Sequence, residues 1–412
     1  MQEKGAFEAL GLDPALLKAV YALGYEAPTP IQREAIPPIL SGRDVIGTAQ
    51  TGSGKTAAFV LPILQRLMKQ TLGHTRALVL SPTRELAAQI VDAAHGLAKG
   101  TRVRAQAVYG GVGMAPQEHA LRAGVDIVVA TPGRLLDHMG RRNVDFRGLQ
   151  VLVLDEADRM LDMGFLPDVR RIVDAVPRDR QTLLFSATMP SEIEHLSRTI
   201  MRNPARIAVS PPHRPPPTIR HEAFPVPQHL KTALLTRLLG REDMMSVLVF
   251  VRTKRRADRV ARQVGQEGFP VARIHGDRSQ SQRETALEGF RSGRHQVLIA
   301  TDVAARGLDV EGISHVINYD VPMVPTDYVH RVGRTARMEA EGEAITFVTP
   351  EEESDLRAIE KTLGRSIPRV TLPDFDYRAP PPPKARGHDT GRHRAAHGST
   401  RGPRRDYRRG FR

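Results

Sequence analysis

Two adjacent carboxylates, Asp155 and Glu156, follow directly after the apolar run at residues 151–154. A buried strand that ends in two carboxylates can place one of them on a metal ion and leave the other to orient or deprotonate a water molecule. A third carboxylate, Asp158, completes the acidic run. An acidic run can also be an ordinary solvated face, so this segment alone leaves both interpretations open.

A glycine-rich segment at residues 52–56 lies upstream of the acidic run. A glycine-rich turn before a helix offers backbone N–H groups to phosphate oxygens. Lys55 adds a positive charge, and Thr56 adds a hydroxyl that can bind Mg²⁺. Such a segment can also be only a turn. Its combination with the acidic strand end predicts a site for a nucleoside triphosphate and Mg²⁺.

The elements that would position these residues fall into two blocks, each alternating short apolar runs with helical patterns. This alternation is typical of parallel α/β sheets. The Pro-rich segment 211–217 between the blocks is an extended spacer that can join two domains. We predict strands over residues 45–46, 77–80, 127–130, 151–154 and 182–185 in the first block, and over 247–250, 297–300, 315–317 and 344–348 in the second.

Composition excludes several classes of protein. No apolar run approaches the ~20 residues needed to span a bilayer, and no hydrophobic signal core follows the N-terminus. The 412 residues include no Cys, which excludes disulfides, thiol nucleophiles and zinc–thiolate sites and fits a reducing compartment. We therefore expect a cytoplasmic protein without membrane association.

The second block has no phosphate loop of its own but contains the basic segment 330–337. Its residues Arg334 and Arg337 are three apart and can point the same way on a short helix or turn. In isolation, a basic solvated face would be the simpler interpretation. Opposite a triphosphate held by the first block, these arginines would instead act as arginine fingers, which contribute roughly 10³–10⁵ in rate.

Taken together, these motifs resemble the DEAD-box RNA helicases over nearly the whole folded region, in the order found in that family. Residues 160–165 and 367–369 are similar to the bacterial RhlE-type branch. The matching segments are residues 24–32 (the Q motif), 49–56, 82–86, 110–111, 131–134, 155–158, 186–188, 250–253, 280–283, 300–309 and 330–337.

The resemblance implies two tandem RecA-like parallel-sheet domains and an RNA-stimulated ATPase that locally unwinds short RNA duplexes. The expected bounds are a Q-motif segment at 1–33, an N-terminal domain at 34–210, a linker at 211–217, a C-terminal domain at 218–372 and a disordered basic tail at 373–412.

ATP and Mg²⁺ are the cofactors that the resemblance implies, with Thr56 and Asp155 on the metal and Glu156 positioning water. Gln32 would read adenine, with Phe7 or Tyr25 stacked on the base. The implied catalytic set is Lys55, Asp155, Glu156, Ser186, Thr188, His330, Arg334 and Arg337. The implied nucleotide-binding set is Phe7, Tyr25, Gln32, Ala49, Gln50, Thr51, Gly52, Ser53, Gly54, Lys55, Thr56, Gly307 and Asp309.

Single-stranded RNA and short duplexes are the implied partners, bound through the sugar-phosphate backbone. Several of the implied contacts can also be helix caps or turn residues. The set is Thr83, Arg84, Gly111, Thr131 and Arg134 in the first domain, and Thr253, Gly276, Arg283, Thr301 and Asp302 in the second.

The tail carries much of the positive charge. Residues 377–412 hold eleven Lys or Arg and two acids, and so contribute +9 of the formal net charge of +14. Such a tail can bind RNA without regard to sequence, although a solubilising role is also compatible with it.

Some alternatives stay open at the level of sequence. An ATP-gated RNA clamp or RNA chaperone with little unwinding, or a DNA-directed motor of the same superfamily, would carry similar motifs. We expect a monomer whose possible protein partners act in ribosome assembly or RNA decay.

Ala336 stands where the family usually has Gly. We expect this difference at most to alter the rate of turnover.

Overall fold

The computed structural model describes residues 6–49, 52–70, 74–209, 219–305, 310, 312–335 and 342–381, except for the side chain of Val303. The predicted linker, residues 382–412 of the predicted tail, and Ala336 lie outside these ranges, so the predictions for them stay untested. The candidate site residues Gln50, Thr51, Gly307, Asp309 and Arg337 also lie outside them.

The first sheet is parallel throughout and has the strand order β3-β4-β2-β5-β6-β1-β7. Its strands are β1 (Val45–Thr48), β2 (Ala77–Leu80), β3 (Ala105–Val108), β4 (Ile127–Ala130), β5 (Val151–Leu154), β6 (Gln181–Ser186) and β7 (Ala205–Ala208).

The second sheet is also parallel and has the order β10-β11-β9-β12-β13-β8. Its strands are β8 (Ile219–Pro225), β9 (Val247–Phe250), β10 (Val271–Ile274), β11 (Val297–Ala300), β12 (His315–Asn318) and β13 (Gly342–Val348). The order of its six strands matches that of six strands of the first sheet, with β8 in the place of β1, β9 of β2 and β12 of β5. Only β7 has no counterpart among the described residues. The expected pair of RecA-like parallel-sheet α/β lobes is therefore confirmed.

Helices connect the strands and cover both sheets. Among the described residues they are α1 (Pro14–Ala22), α2 (Pro30–Leu40), α3 (Lys55–Leu67), α4 (Arg84–Leu97), α5 (Met114–Arg122), α6 (Pro132–Gly140), α7 (Ala157–Asp162), α8 (Leu166–Ala175), α9 (Ser191–Ile200), α10 (Lys231–Leu239), α11 (Lys254–Gln266), α12 (Gln280–Arg291), α13 (Asp302–Ala305), α14 (Pro325–Val332) and α15 (Glu353–Leu363). None of them combines the length and apolar character that crossing a bilayer requires.

The central strands are buried on both faces, as expected for a sheet covered by helices on each side. In β5, Val153 contributes to one hydrophobic core, while Leu152 and Leu154 contribute to the core on the opposite face. All four residues of β5 are buried. Burial on both faces therefore explains why the run is continuously apolar rather than alternating.

Four strands were missing from the sequence prediction: β3, β7, β8 and β10. They are the outermost strands of the two sheets. Each of these strands carries a polar residue at an exposed or half-buried position, such as Arg206 in β7, so none of them forms a continuous apolar run. The prediction was wrong at the sheet edges for this reason.

The second lobe buries a lysine at the start of α10. Lys231 has no exposed surface, and its ammonium donates to Glu352 Oε2 at 2.6 Å and to the Tyr319 carbonyl at 2.8 Å. Asp320 lies 3.9 Å from the same nitrogen. A buried ammonium is tolerated only when it is paired in this way.

The chain divides into a unit that ends at Tyr377 and contains both sheets, and a second unit from Arg378 onward. The first sheet ends with β7 at Ala208, and the second begins with β8 at Ile219. The predicted domain bounds themselves stay predictions.

Candidate nucleotide and RNA site

The phosphate loop connects β1 to α3, and the helix begins at Lys55. Gly52 and Gly54 have φ of +83° and +89°, a region that favours glycine. A Cβ on Gly54 would lie 2.5 Å from Gln32 Nε2, so glycine is needed there for space as well. The Lys55 ammonium is buried and donates to the Ala49 carbonyl at 2.9 Å. The backbone N–H groups at the start of α3 are thus arranged as an anion site.

Gln32 ties the Q-motif segment to this loop. Its Nε2 donates to the Gly54 carbonyl at 3.1 Å, and its Oε1 accepts from the Thr29 backbone N–H at 2.9 Å. Its side chain is almost fully buried. Each polar atom keeps capacity for one further hydrogen bond, so contact with an adenine edge is compatible with these contacts.

The two aromatic candidates for base stacking differ in exposure. Phe7 has no exposed surface and packs edge-on against Tyr21, with ring centroids 6.3 Å apart. Tyr25 is 36% exposed. A base could therefore reach Tyr25 directly, whereas stacking on Phe7 would require its ring to be uncovered.

The acidic pair sits at the carboxyl end of β5. Glu156 adopts φ +52° and ψ +51°, which is unusual for a residue with a side chain and costs of order 1–3 kcal/mol. Arg159 Nη1 donates to Glu156 Oε2 at 2.7 Å, and both side chains are buried. Sequence reasoning missed Arg159, although it directly follows Asp158. The strained backbone and the buried ion pair together fix the direction of the Glu156 carboxylate.

The surroundings of the pair shift the pKa values of Asp155 and Glu156 in opposite directions. Burial opposes the ionisation of Glu156, but Arg159, Lys55 and Arg334 together hold the pKa of Glu156 below its ordinary value. Burial, opposed by Lys55, raises the pKa of Asp155. A cation bound beside Asp155 would favour its ionised form. A buried carboxylate near the phosphate loop, with the half-buried hydroxyl residue Thr56 at the start of α3, therefore fits a hard divalent cation.

Ser186 and Thr188 hold the third carboxylate in place. Thr188 donates to Asp158 Oδ2 from its backbone N–H at 2.8 Å and from its hydroxyl at 2.9 Å. Ser186 Oγ accepts from the Asp158 backbone N–H at 3.1 Å. These bonds link the end of β6 to the first turn of α7, so the acidic motif is rigidly positioned.

The second lobe brings His330 and Arg334 to this acidic motif. Both line a small cavity whose wall on the first lobe is Arg159. Arg334 is buried and its charge acts on Glu156. Burial and then the charge of Arg159 lower the pKa of His330 to about 4. The cavity thus brings His330 and Arg334 of one lobe to Arg159 of the other, close enough for the charge of Arg334 to act on Glu156.

Asp302 and Arg331 form an ion pair in the wall of this cavity. Arg331 donates to both Asp302 oxygens, at 2.6 and 2.7 Å, and its guanidinium lies 5.1 Å from the centre of the Phe250 ring. The Asp302 carboxylate is therefore engaged within the lobe, so the predicted contact of Asp302 with RNA would have to be made by its backbone. Arg331 was missed by sequence reasoning, which gave weight to Arg334 and Arg337.

The hydroxyl residues assigned to RNA occur in equivalent pairs. Thr83 follows β2 and Thr253 follows the equivalent β9, and each accepts from a backbone N–H three residues on, at 3.2 Å. Thr131 and Thr301 likewise follow the equivalent strands β4 and β11. Thr83 and Thr253 are thus the N-caps of α4 and α11. The N-termini of these two helices lie at the carboxyl ends of the two sheets.

Three arginines gather near these helix ends. They are Arg84, Arg134 and Arg283. Burial lowers the pKa of Arg84, and the nearby charges of Arg283 and Arg134 lower it further. A Cβ on Gly111, whose φ is +82°, would lie 1.8 Å from Arg84 Nη1, so only glycine admits this guanidinium. Gly276 is exposed directly after β10. Like charges held together at half-buried positions favour binding of an anion such as a phosphate.

A further interlobe contact joins Arg283 to Glu85. Arg283 Nη2 lies 2.9 Å from Glu85 Oε1, and the side chains are 12% and 6% exposed. Sequence reasoning placed Glu85 in a matching motif but gave it no role. The adjacency of Glu85 to Arg84 was the available signal, but the partner in the other lobe is visible only in the structure.

The sequence matches family models over both lobes. Residues 29–196 match the DEAD/DEAH box helicase model, and residues 230–339 match the helicase conserved C-terminal domain. The chain is 43% identical over 370 residues to the DEAD-box ATP-dependent RNA helicase CshA of Bacillus subtilis strain 168. The aligned region covers 90% of this chain and 75% of that protein. The RhlE-type branch stays a prediction.

Solved structures are similar over the same region. The S. cerevisiae Dbp5 structure bound to RNA and ADP BeF3 is 34% identical, with a TM-score of 0.81, over 89% of this chain and 95% of that chain. A DEAD box protein from Methanococcus jannaschii is 38% identical with a TM-score of 0.53, over 89% of this chain and 99% of that one. On the strength of these matches, the chain belongs to the DEAD-box ATP-dependent RNA helicases.

Proposed function

We propose that this helicase hydrolyses ATP when its two lobes close on RNA, and that closure locally opens short RNA duplexes. The observation that supports the proposal best is the meeting of Glu156 and Arg159 of the first lobe with His330 and Arg334 of the second. Neither lobe carries both the water-positioning carboxylate and the arginine. Hydrolysis would therefore require closure.

In this proposal each chemical role has a residue. The phosphate loop and Lys55 hold the triphosphate, and Glu156 orients the attacking water. Thr56 and Asp155 would hold Mg²⁺, which supplies charge neutralisation on the phosphates. Arg334, with its planar fork of donors, stabilises the charge that develops as the phosphoryl group transfers.

RNA would bind along the carboxyl ends of both sheets. The arginines at positions 84, 134 and 283, the helix N-termini after Thr83 and Thr253, and the exposed backbone at Gly276 offer groups that contact phosphate and 2′-OH without reading sequence. ATP and RNA each bridge the lobes, so each should tighten the binding of the other.

The test is a strand-displacement assay on a short RNA duplex, run beside an ATPase assay with and without RNA. We expect RNA-stimulated hydrolysis and ATP-dependent displacement. Stimulated hydrolysis without displacement would instead identify an ATP-gated RNA clamp, and stimulation by DNA equal to that by RNA would indicate a DNA-directed motor. The monomeric state, the cytoplasmic location and partners in ribosome assembly or RNA decay stay predictions of the sequence.

Replacing Gln32 with Ala should weaken discrimination of ATP over GTP by about tenfold or more, since base-edge hydrogen bonds are lost. The same change removes the bond to the Gly54 carbonyl, so the KM for ATP should rise as well. KM and kcat for both nucleotides provide the measurement. Gln150→Ala is the matched control. Gln150 directly precedes β5, at the end of the sheet opposite the phosphate loop, and its side chain is hydrogen-bonded to Gln70. Unchanged selectivity for ATP over GTP in Gln32→Ala would show that Gln32 does not recognise adenine.

Reversing the charge of Arg283 (Arg283→Glu) should lower RNA-stimulated ATPase activity by about tenfold or more, because two carboxylates would then face each other across the lobes. Adding Glu85→Arg should restore part of the activity and of the lobe closure seen by fluorescence energy transfer. Arg294→Glu, at an exposed position, serves as the control. If the double variant is no better than Arg283→Glu alone, Arg283 acts on RNA and not on Glu85.

A further inference from the structure

A second cluster of metal-ligand side chains lies in the second lobe, at the amino ends of its strands. It comprises Asp243, His315 and Glu343, whose nearest donor atoms all lie within 4.8 Å of one another. His315 begins β12 and pairs in register with Glu343 of β13. Asp243 lies in the turn between α10 and β9, the strand beside β12. The residues assigned to ATP and RNA lie at the opposite ends of the strands.

The distances suit a small tetrahedral ion. His315 Nε2 lies 3.2 Å from Glu343 Oε2 and 4.0 Å from Asp243 Oδ2. Donors about 2.1 Å from a tetrahedral Zn²⁺ are about 3.4 Å apart. The Glu343 distance is already close to this value. The Asp243 distance needs a shift below 1 Å, in an exposed turn where small movements cost little.

The imidazole is oriented as in a metal site. Ser314 Oγ donates its hydrogen to the Ser246 carbonyl at 3.0 Å and accepts from the Ser246 N–H at 3.1 Å. His315 Nδ1 lies 2.9 Å from that oxygen, so Nδ1 is the donor in this contact. The proton of a neutral ring is then on Nδ1, and Nε2 presents a lone pair. Metal-binding histidines are fixed by an outer hydrogen bond of this kind.

Among the residues that the structure describes, no group forms a hydrogen bond with Nε2 of His315. It is buried, the His315 side chain is 5% exposed, and no contact of Nε2 has hydrogen-bond geometry although a carboxylate oxygen is 3.2 Å away. An unprotonated nitrogen this close to two carboxylates, 3.2 Å from one and 4.0 Å from the other, is unfavourable without a cation.

The carboxylates are held from outside and remain accessible. Arg241 donates to both oxygens of Asp243, and Arg220 lies 3.3 Å from Glu343 Oε1. The Asp243 side chain is 50% exposed, which leaves a path for an ion and a position for a water ligand. We propose that Asp243, His315 and Glu343 form a binding site for a divalent ion of the Zn²⁺ type, separate from the nucleotide site.

One imidazole and two carboxylates balance the charge of a divalent ion. This donor set favours Zn²⁺ over Mg²⁺, which prefers oxygen ligands in octahedral geometry and keeps several waters. The ion would connect β12, β13 and the turn before β9, and so stabilise the second lobe.

The test is a Zn²⁺ titration of the full chain after chelator treatment, without nucleotide or Mg²⁺, followed by calorimetry and thermal unfolding. Co²⁺ absorption, as a spectroscopic probe, reports a nitrogen and oxygen ligand set. We expect one equivalent to bind, the unfolding temperature to rise, and affinity to fall by at least about tenfold in Asp243→Asn and in Glu343→Gln. Asp243→Asn changes an exposed residue, so it tests the site even if a change at His315 prevents folding.

The tail histidines provide the control, because they can bind Zn²⁺ weakly. A full chain with His388→Asn, His393→Asn and His397→Asn should keep the one-equivalent site. The absence of saturable binding would overturn the proposal and leave His315 as a histidine paired with carboxylates. Binding that is lost only in the tail variant, or that persists unchanged in Asp243→Asn and Glu343→Gln, would overturn it as well.

Discussion

Glu156→Gln is expected to lower RNA-stimulated ATP hydrolysis by about 10²–10⁴-fold while ATP and RNA still bind. Glutamine keeps the size of the side chain and can still accept from Arg159, so the buried contact at 2.7 Å survives in neutral form. It cannot accept a proton from the attacking water. The closed complex with ATP and RNA should therefore accumulate, since hydrolysis is the step that releases it.

Single-turnover hydrolysis, together with the dissociation rate of labelled RNA in the presence of ATP, measures this effect. Glu192→Gln, at an exposed position in α9, is the matched control and should behave as the unaltered protein. The unfolding temperature shows whether loss of the ion pair destabilises the first lobe. Hydrolysis near the unaltered rate in a folded Glu156→Gln variant would exclude the proposed role of this carboxylate.

Arg334→Lys should reduce hydrolysis by about 10³–10⁵-fold, with ATP binding to the first lobe nearly intact. The substitution keeps the positive charge, but a lysine cannot reproduce the planar fork of donors. Arg334 is buried against the first lobe, next to Arg159, so its contribution is made only when the lobes are in contact.

Nucleotide affinity and RNA-stimulated turnover, measured on the same preparation, separate binding from chemistry. Arg237→Lys, at an exposed position of α10, is the control for the exchange itself. A parallel loss in ATP affinity and turnover would point to a ground-state contact, and full activity would show that another residue, such as Arg337, supplies the charge.

The interior of both sheets could be predicted from sequence because burial on two faces leaves a continuous apolar run, as in β2 and β11. The outermost strands could not be found in this way. In β8, an exposed Arg220 alternates with buried Ile219 and His221, a pattern that also suits a loop. Such strands are specified by their neighbours in the sheet more than by local composition.

In the candidate site, too, contiguous motifs could be predicted from the sequence, whereas contacts between residues far apart in the chain could not. The phosphate loop and the acidic run are contiguous motifs, and the chemistry of their residue types is readable directly. The ion pair between Glu85 and Arg283 joins residues far apart in sequence, so no local pattern reveals it. The left-handed backbone of Glu156 is also hidden, because a glutamate carries no sequence signal for that conformation.

Lys231 has a consequence for stoichiometry. It is the first residue of the helix after β8, as Lys55 is the first residue of the helix after the equivalent β1. Asp320 follows β12 by two residues, as Glu156 follows the equivalent β5. In the second lobe this lysine is buried and paired with Glu352 at 2.6 Å. It also lies 3.9 Å from Asp320, which is itself paired with Arg256. The lysine at the position equivalent to Lys55 is thus fully engaged in structural contacts and cannot bind a phosphate. We therefore expect one chain to consume a single nucleotide per cycle.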